Sequence, residues 1–137
     1  MNVADQFLDK AYHIVRRLIE LEGERKEFIL AISSPSAVDP SRDYVQGGAA
    51  HDMADDVARL EDNTQRIKAL KRDLMVMQGY VKRIDNEHYR YLLYTRGMYG
   101  VPLLTISNTI KIPYTTLRRD YAAAKEALCK ALVDWRP

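Results

Sequence analysis

The sequence predicts an all-α chain: a long N-terminal helical hairpin or coiled coil over residues 1–85, followed by a smaller three-helix domain over residues 86–137. Three observations lead there. Apolar residues recur at helical spacing along two long stretches, a segment rich in Pro, Gly and Ser separates those stretches, and three short helical patterns punctuated by Gly and Pro follow them.

The first pattern runs from Val3 to Ile32. Phe7, Ile14, Leu21 and Phe28 fall every seven positions, and Ala11 and Leu18 complete the stripe. Gly23 interrupts it at a cost of about 1 kcal/mol relative to Ala, so a bend is expected there if anywhere. Residues 33–50, SSPSAVDPSRDYVQGGAA, collect residues that do not sustain a helix interior and read as a loop. A second pattern extends from near His51 to Ile84, with Met53, Leu60, Ile67, Leu74 and Val81 as the heptad stripe and Leu70, Met77 and Ile84 as companions. Toward its start the companion positions become Asp56 and Asn63, so that end either splays or fixes a specific pairing. A helix of this length, on the order of 50 Å, cannot be covered by a small domain and needs a partner helix, from the same chain or from a second copy. Asp85-Asn86 ends it with turn-prone residues.

The chain of 137 residues has 47% hydrophobic and 29% charged residues, which fits a folded globular protein rather than a disordered one. It carries no apolar run long enough for a membrane span and no N-terminal basic segment followed by an apolar one. A cytoplasmic protein without membrane contact is therefore expected. Cys129 is the single cysteine and reads as a buried structural thiol; no Cys/His set has metal-ligand spacing. His13, His51 and His88 are scattered over different elements, and no glycine-rich phosphate loop is present, so neither a catalytic site, a metal nor a cofactor is expected. The net charge of +2 is unevenly distributed: residues 1–85 hold 13 Lys/Arg against 15 Asp/Glu, whereas residues 86–137 hold 8 against 4. Such a local positive excess suits a phosphate-binding surface.

That basic end contains the informative pattern. Tyr89, Leu92, Leu93 and Met98 give a short helix that Gly97 and Gly100 are expected to stop. Pro102 opens the next, with Leu103, Ile106 and Ile110 as its buried stripe. Lys111-Ile112-Pro113 makes a tight connection, Ser107 supplies a small residue where two helices must approach, and Leu117, Tyr121, Ala124 and Leu128 line the third helix. Three short helices, the last two joined by three residues, are the layout of a helix-turn-helix. With Leu117 facing the core, Tyr114, Thr115, Arg118 and Arg119 fall near the opposite face at the end that would enter a major groove. Arginine pairs with guanine, threonine meets the thymine methyl, and Tyr114 or Lys111 can hold phosphate. Lys111, Tyr114, Thr115, Thr116, Arg118 and Arg119 are thus the candidate contacts to double-stranded DNA.

The run from Arg96 to Leu128 resembles the fourth conserved region of bacterial sigma factors, in which an Arg-aromatic-x-x-Gly turn precedes the helix-turn-helix. A wider stretch, most of residues 33–132, is similar to phage-encoded late-transcription regulators of the RinA and ArpU type. The shared features are a Ser-Pro loop like Ser34-Pro35-Ser36, a helix like Ala54 to Leu60, and a Tyr-Arg-x-Leu-Leu segment, here Tyr89-Arg90-Tyr91-Leu92-Leu93. The resemblance implies a sequence-specific transcription regulator of phage or prophage origin that binds promoter DNA and contacts host RNA polymerase. Four positions depart from the pattern: Gly97 stands where an aromatic is usual, Lys111 replaces a turn glycine, Pro113 replaces a polar helix starter, and Asp120 places a negative charge on a groove-facing helix. Asp120 would repel phosphate unless it meets a cytosine amino group or pairs with an arginine. Helix-turn-helix proteins commonly bind as symmetric dimers, and a homo-oligomer, a dimer first, is expected. The alternatives are a phage DNA-packaging protein of the small-terminase kind, which usually places its DNA-binding domain first, and a helical adaptor whose C-terminal domain merely caps the helices.

Overall fold

The computed structural model describes residues 2–33 and 53–137, so the Ser34-Pro35-Ser36 loop and His51 lie outside the described residues. The described chain is all-helical, without strands. It consists of α1 (Val3–Ser33), α2 (Met53–Val81), α3 (Glu87–Leu92) passing directly into a π-helical segment (Leu93–Met98), α4 (Leu103–Ile110) and α5 (Tyr114–Ala131). No helix among the described residues is long and apolar enough to cross a membrane.

The chain divides into two compact units, and the divisions fall within the long helices. One unit comprises residues 1–16 and 72–137, the other residues 17–71. Periodicity identifies which face of a helix is buried but not what buries it, and the two ends of each long helix find different cover.

In the unit of residues 17–71, Leu18, Leu21 and Ile67 are buried, and so is Asn63. The Asn63 side chain donates from Nδ2 to the carbonyl of Leu21 at 2.9 Å, and Arg25 donates to the Thr64 hydroxyl at 2.6 Å. Lys71 pairs with Glu22 at 3.6 Å. The companion stripe therefore does not splay at Asn63; the amide holds α2 to α1. Gly23 interrupts nothing, since α1 continues through it with open space around its Cα.

The other unit has a larger core. Ala4, Phe7, Leu8, Ala11 and Ile14 of α1 are buried, as are Met77 and Val81 of α2, Leu92, Leu93, Met98, Ile106, Leu117, Ala124 and Leu128 of the later helices, and Leu132 and Trp135 at the end of the chain. Phe7 joins these groups: its ring meets Tyr80 edge-on at 6.0 Å and Trp135 at 5.2 Å. The turn that carries Trp135 is tied down by Arg83, which donates to both Asp134 oxygens at 2.7 and 3.2 Å and to the Ala131 carbonyl at 3.0 Å. This hydrogen bonding holds the exposed Asp134 carboxyl below its ordinary range. Cys129, expected to be buried, is half-buried, because its position on α5 lies beside the stripe of Leu117, Ala124 and Leu128 rather than in it.

The second helix ends at Val81, short of the expected Ile84, and Asn86 starts the next. After Val81 the chain tightens through Arg83 N to Tyr80 O and Ile84 N to Val81 O, and the Asn86 side chain then accepts from Tyr89 N at 3.1 Å as the N-cap of α3. Gly97 does not stop that helix as expected. It lies inside the π-helical segment, where an added Cβ would come 2.7 Å from Leu8 Cδ2. The helix instead ends at Gly100, whose φ of +74° is the left-handed turn that only glycine adopts without cost. A side chain at position 97 would displace the end of the Leu8 side chain.

Candidate nucleic-acid interface

The candidate residues are positioned by a small hydrophobic center. Leu92 of α3, Ile106 of α4 and Leu117 of α5 are buried against one another, and Val101, Leu103, Ile110, Ile112 and Tyr121 close around them. This fixes the rotation of α5, because with Leu117 inward the residues one and two positions away must point elsewhere.

The link between α4 and α5 is built from backbone and one hydroxyl. Lys111 adopts the left-handed conformation, φ 60° and ψ 39°, and its N–H bonds to the Ser107 carbonyl at 2.9 Å, ending α4. The Ser107 hydroxyl donates to the Ile112 carbonyl at 2.6 Å, so the small residue at this position also ties the turn to the helix. Lysine here gives up the conformational ease of glycine, at about 1–2 kcal/mol, and the surrounding contacts hold it there. Pro102 and Pro113 are the N-cap residues of α4 and α5; each is extended and accepts the first bond of its helix, from Ile106 N at 3.1 Å and Leu117 N at 3.0 Å respectively. Proline at these caps loses no hydrogen bond and fixes the entry angle of the chain.

Beyond the turn, Lys111, Tyr114, Thr115, Arg118 and Arg119 are exposed, whereas Thr116 is half-buried. Arg118 and Arg119 form no salt bridge among the described residues. Asp120, half-buried on the flank of α5, meets His88 rather than an arginine: His88 Nε2 lies 3.0 Å from its Oδ2. The carboxylate is thus turned toward α3 and occupied.

The sequence also holds a signal that the segment-wide charge count conceals. Between Glu87 and Asp120 no carboxylate occurs, while Arg90, Arg96, Lys111, Arg118 and Arg119 do. Arg90 is spent on structure, donating to the Ile84 carbonyl, whereas Arg96 is exposed on the π-helical segment. Tyr89, Tyr94 and Tyr121 are half-buried, and burial raises the hydroxyls of Tyr94 and Tyr121 above the ordinary tyrosine range. These rings belong to the boundary of the core. Among the described residues no group of His, Cys, Asp and Glu could hold a metal ion.

Compared with protein-family models, with curated proteins and with solved structures, the chain gives no significant match to any of them.

Proposed function

We propose that this chain is a sequence-specific double-stranded DNA-binding protein, a transcription regulator that acts without catalysis. In this reading α1 and α2 form an antiparallel hairpin that carries the protein's self-association, and α3 to α5 form a helix-turn-helix of the sigma-like kind. The observation that carries it is the N-terminal end of α5. Tyr114, Thr115, Arg118 and Arg119 are exposed there while Leu117 between them is fully buried, so a rigid helix end presents hydrogen-bonding and cationic groups away from its own domain. A major groove accepts such a helix end, and Arg118 and Arg119, which diverge by about 100° on the helix, take separate roles as base reader and phosphate contact. The exposed Lys111 stands just before the helix, where a phosphate contact fixes its register. A regulator of this type acts at promoters beside host RNA polymerase, and pairing of two copies sets the spacing of half-sites.

The test is titration of duplex DNA drawn from the genome that encodes the protein, at two salt concentrations, comparing wild type with Arg118→Ala, Arg119→Ala and the double variant. One single variant should lose about 1–3 kcal/mol and relax preference at one base position; the other should weaken all sequences alike and lower the salt slope by about one. Both side chains are exposed, so unchanged helicity is expected. Equal affinity and equal salt dependence in wild type and the double variant would refute the assignment.

A further inference from the structure

The unit of residues 17–71 contains a groove unrelated to the DNA-reading helix. Glu22, Arg25, Lys26 and Ile29 of α1 line one side, and Thr64, Ile67, Lys68 and Lys71 of α2 line the other, around a volume of about 520 Å³. Its floor is apolar at Ile67. Its rim is basic, and only part of that charge is used internally: Arg25 bonds Thr64 and Lys71 faces Glu22, whereas Lys26 and Lys68 are exposed and make no ion pair among the described residues.

The same unit contains the complement of this groove. The first half of α2 carries Asp55, Asp56, Glu61 and Asp62 against Arg59, whereas from Arg66 to Arg72 every charged residue is basic; of these, Asp62 and Arg66 pair with each other at 3.0 Å. Ala54, Val57, Ala58 and Glu61 lie on one exposed face of that acidic half, at the i, i+3, i+4, i+7 spacing of a helix stripe, and Val57 is 48% exposed. The helix is thus acidic with a small apolar face at one end, and borders a basic groove with an apolar floor at the other. A surface whose two halves complement each other along one axis is matched by its own copy turned end for end.

We propose that the groove is the docking site for a second copy of this chain. Two α2 helices cross antiparallel between Thr64 and Gln65, so that the first half of each lies along the second half of the other. That crossing sets Glu61 of each copy opposite Lys68 of the other, and Ala58 opposite Lys71. Charge pairing of this kind selects orientation more than it supplies affinity, which comes from covering exposed apolar side chains such as Val57. The inference gives the self-association proposed above a particular surface and does not depend on DNA binding.

The experiment is the solution mass of the full chain at micromolar concentration, by sedimentation, for wild type, Glu61→Lys, Lys68→Glu and an equimolar mixture of the two variants. Each variant alone places like charges opposite each other and should associate more weakly by on the order of tenfold or more. In the mixture both contacts again pair opposite charges, so a dimer of one copy of each should reappear. Circular dichroism should be unchanged throughout, because both positions are exposed. A monomeric wild type, a dimer indifferent to the reversals, or variants that the mixture does not rescue would each overturn the proposal. So would a wild type and Lys68→Glu of equal mass that differ in DNA affinity, which would make the rim a phosphate contact instead. Because the readout is mass, failure here leaves the role of Arg118 and Arg119 untouched.

Discussion

The two units use similar helical stripes to different ends. In the unit of residues 1–16 and 72–137, Phe7 meets Tyr80 and Trp135 within a core drawn from several elements, whereas among the described residues of the unit of residues 17–71 Leu18, Leu21, Ile67 and Asn63 are the buried ones. A heptad stripe specifies a face; the elements that cover it decide how much water is excluded. One unit is closed by three further helices and the end of the chain, while the other has two helix segments and an open groove. The first can stand on its core, and the second is the place where an added helix would contribute most.

The largest test of that contrast is truncation in each core. Phe7→Ala should cost about 3–5 kcal/mol, since the aromatic contacts with Tyr80 and Trp135 are lost and the surrounding helices cannot all collapse into the space. Leu21→Ala should fall at the lower end of its class, about 2 kcal/mol, because a pair of helix segments can close over the gap. Urea denaturation followed by circular dichroism reads both. Equal losses would mean that the thin unit is as well enclosed as the other, and the contrast would fail.

A second test concerns Asn63, whose Nδ2 is bonded to the Leu21 carbonyl while its buried Oδ1 has no hydrogen-bond partner among the described residues. A half-satisfied buried amide costs stability and in helical pairs fixes register. Asn63→Leu should therefore raise stability by on the order of 1 kcal/mol and broaden the distribution of associated states seen by sedimentation. A variant that is less stable but uniform in mass would show that the amide is held by more than the Leu21 contact.

Much of this was legible in the sequence. Phe7, Ala11, Ile14, Leu18 and Leu21 were expected on one stripe and each is buried, while Phe28 of the same stripe is half-buried; Leu92, Ile106 and Leu117 were expected inside the smaller domain and form its center. These depend on local periodicity, which a sequence displays directly. What escaped depends on contacts between residues distant in the chain. Leu8 occupying the space beside Gly97, His88 turning Asp120 away, and Arg83 fastening the turn before Trp135 leave no periodic trace. The candidate DNA contacts fall between these cases: the spacing around Leu117 gives their exposure, but exposure does not name a ligand.

Lys111 separates stability from binding within the smaller domain, with the smallest expected effect. Its φ of 60° is a strained backbone for lysine and an ordinary one for glycine, and its side chain is exposed. Lys111→Gly relieves about 1–2 kcal/mol of left-handed strain, but it also frees the unfolded chain, which takes back about 0.4–1 kcal/mol. The net gain should lie near the middle of the difference, at about 0.8 kcal/mol in urea denaturation. If the ammonium group also holds a phosphate, the same substitution should weaken duplex binding for all sequences alike and lower the salt slope by about one. Stability and affinity would then move in opposite directions from one exchange. Greater stability with unchanged binding would leave Lys111 as a turn residue alone and confine the proposed contacts to α5. A loss of both would show that the lysine side chain supports the turn, and that the strain at this position is offset by contacts of its own.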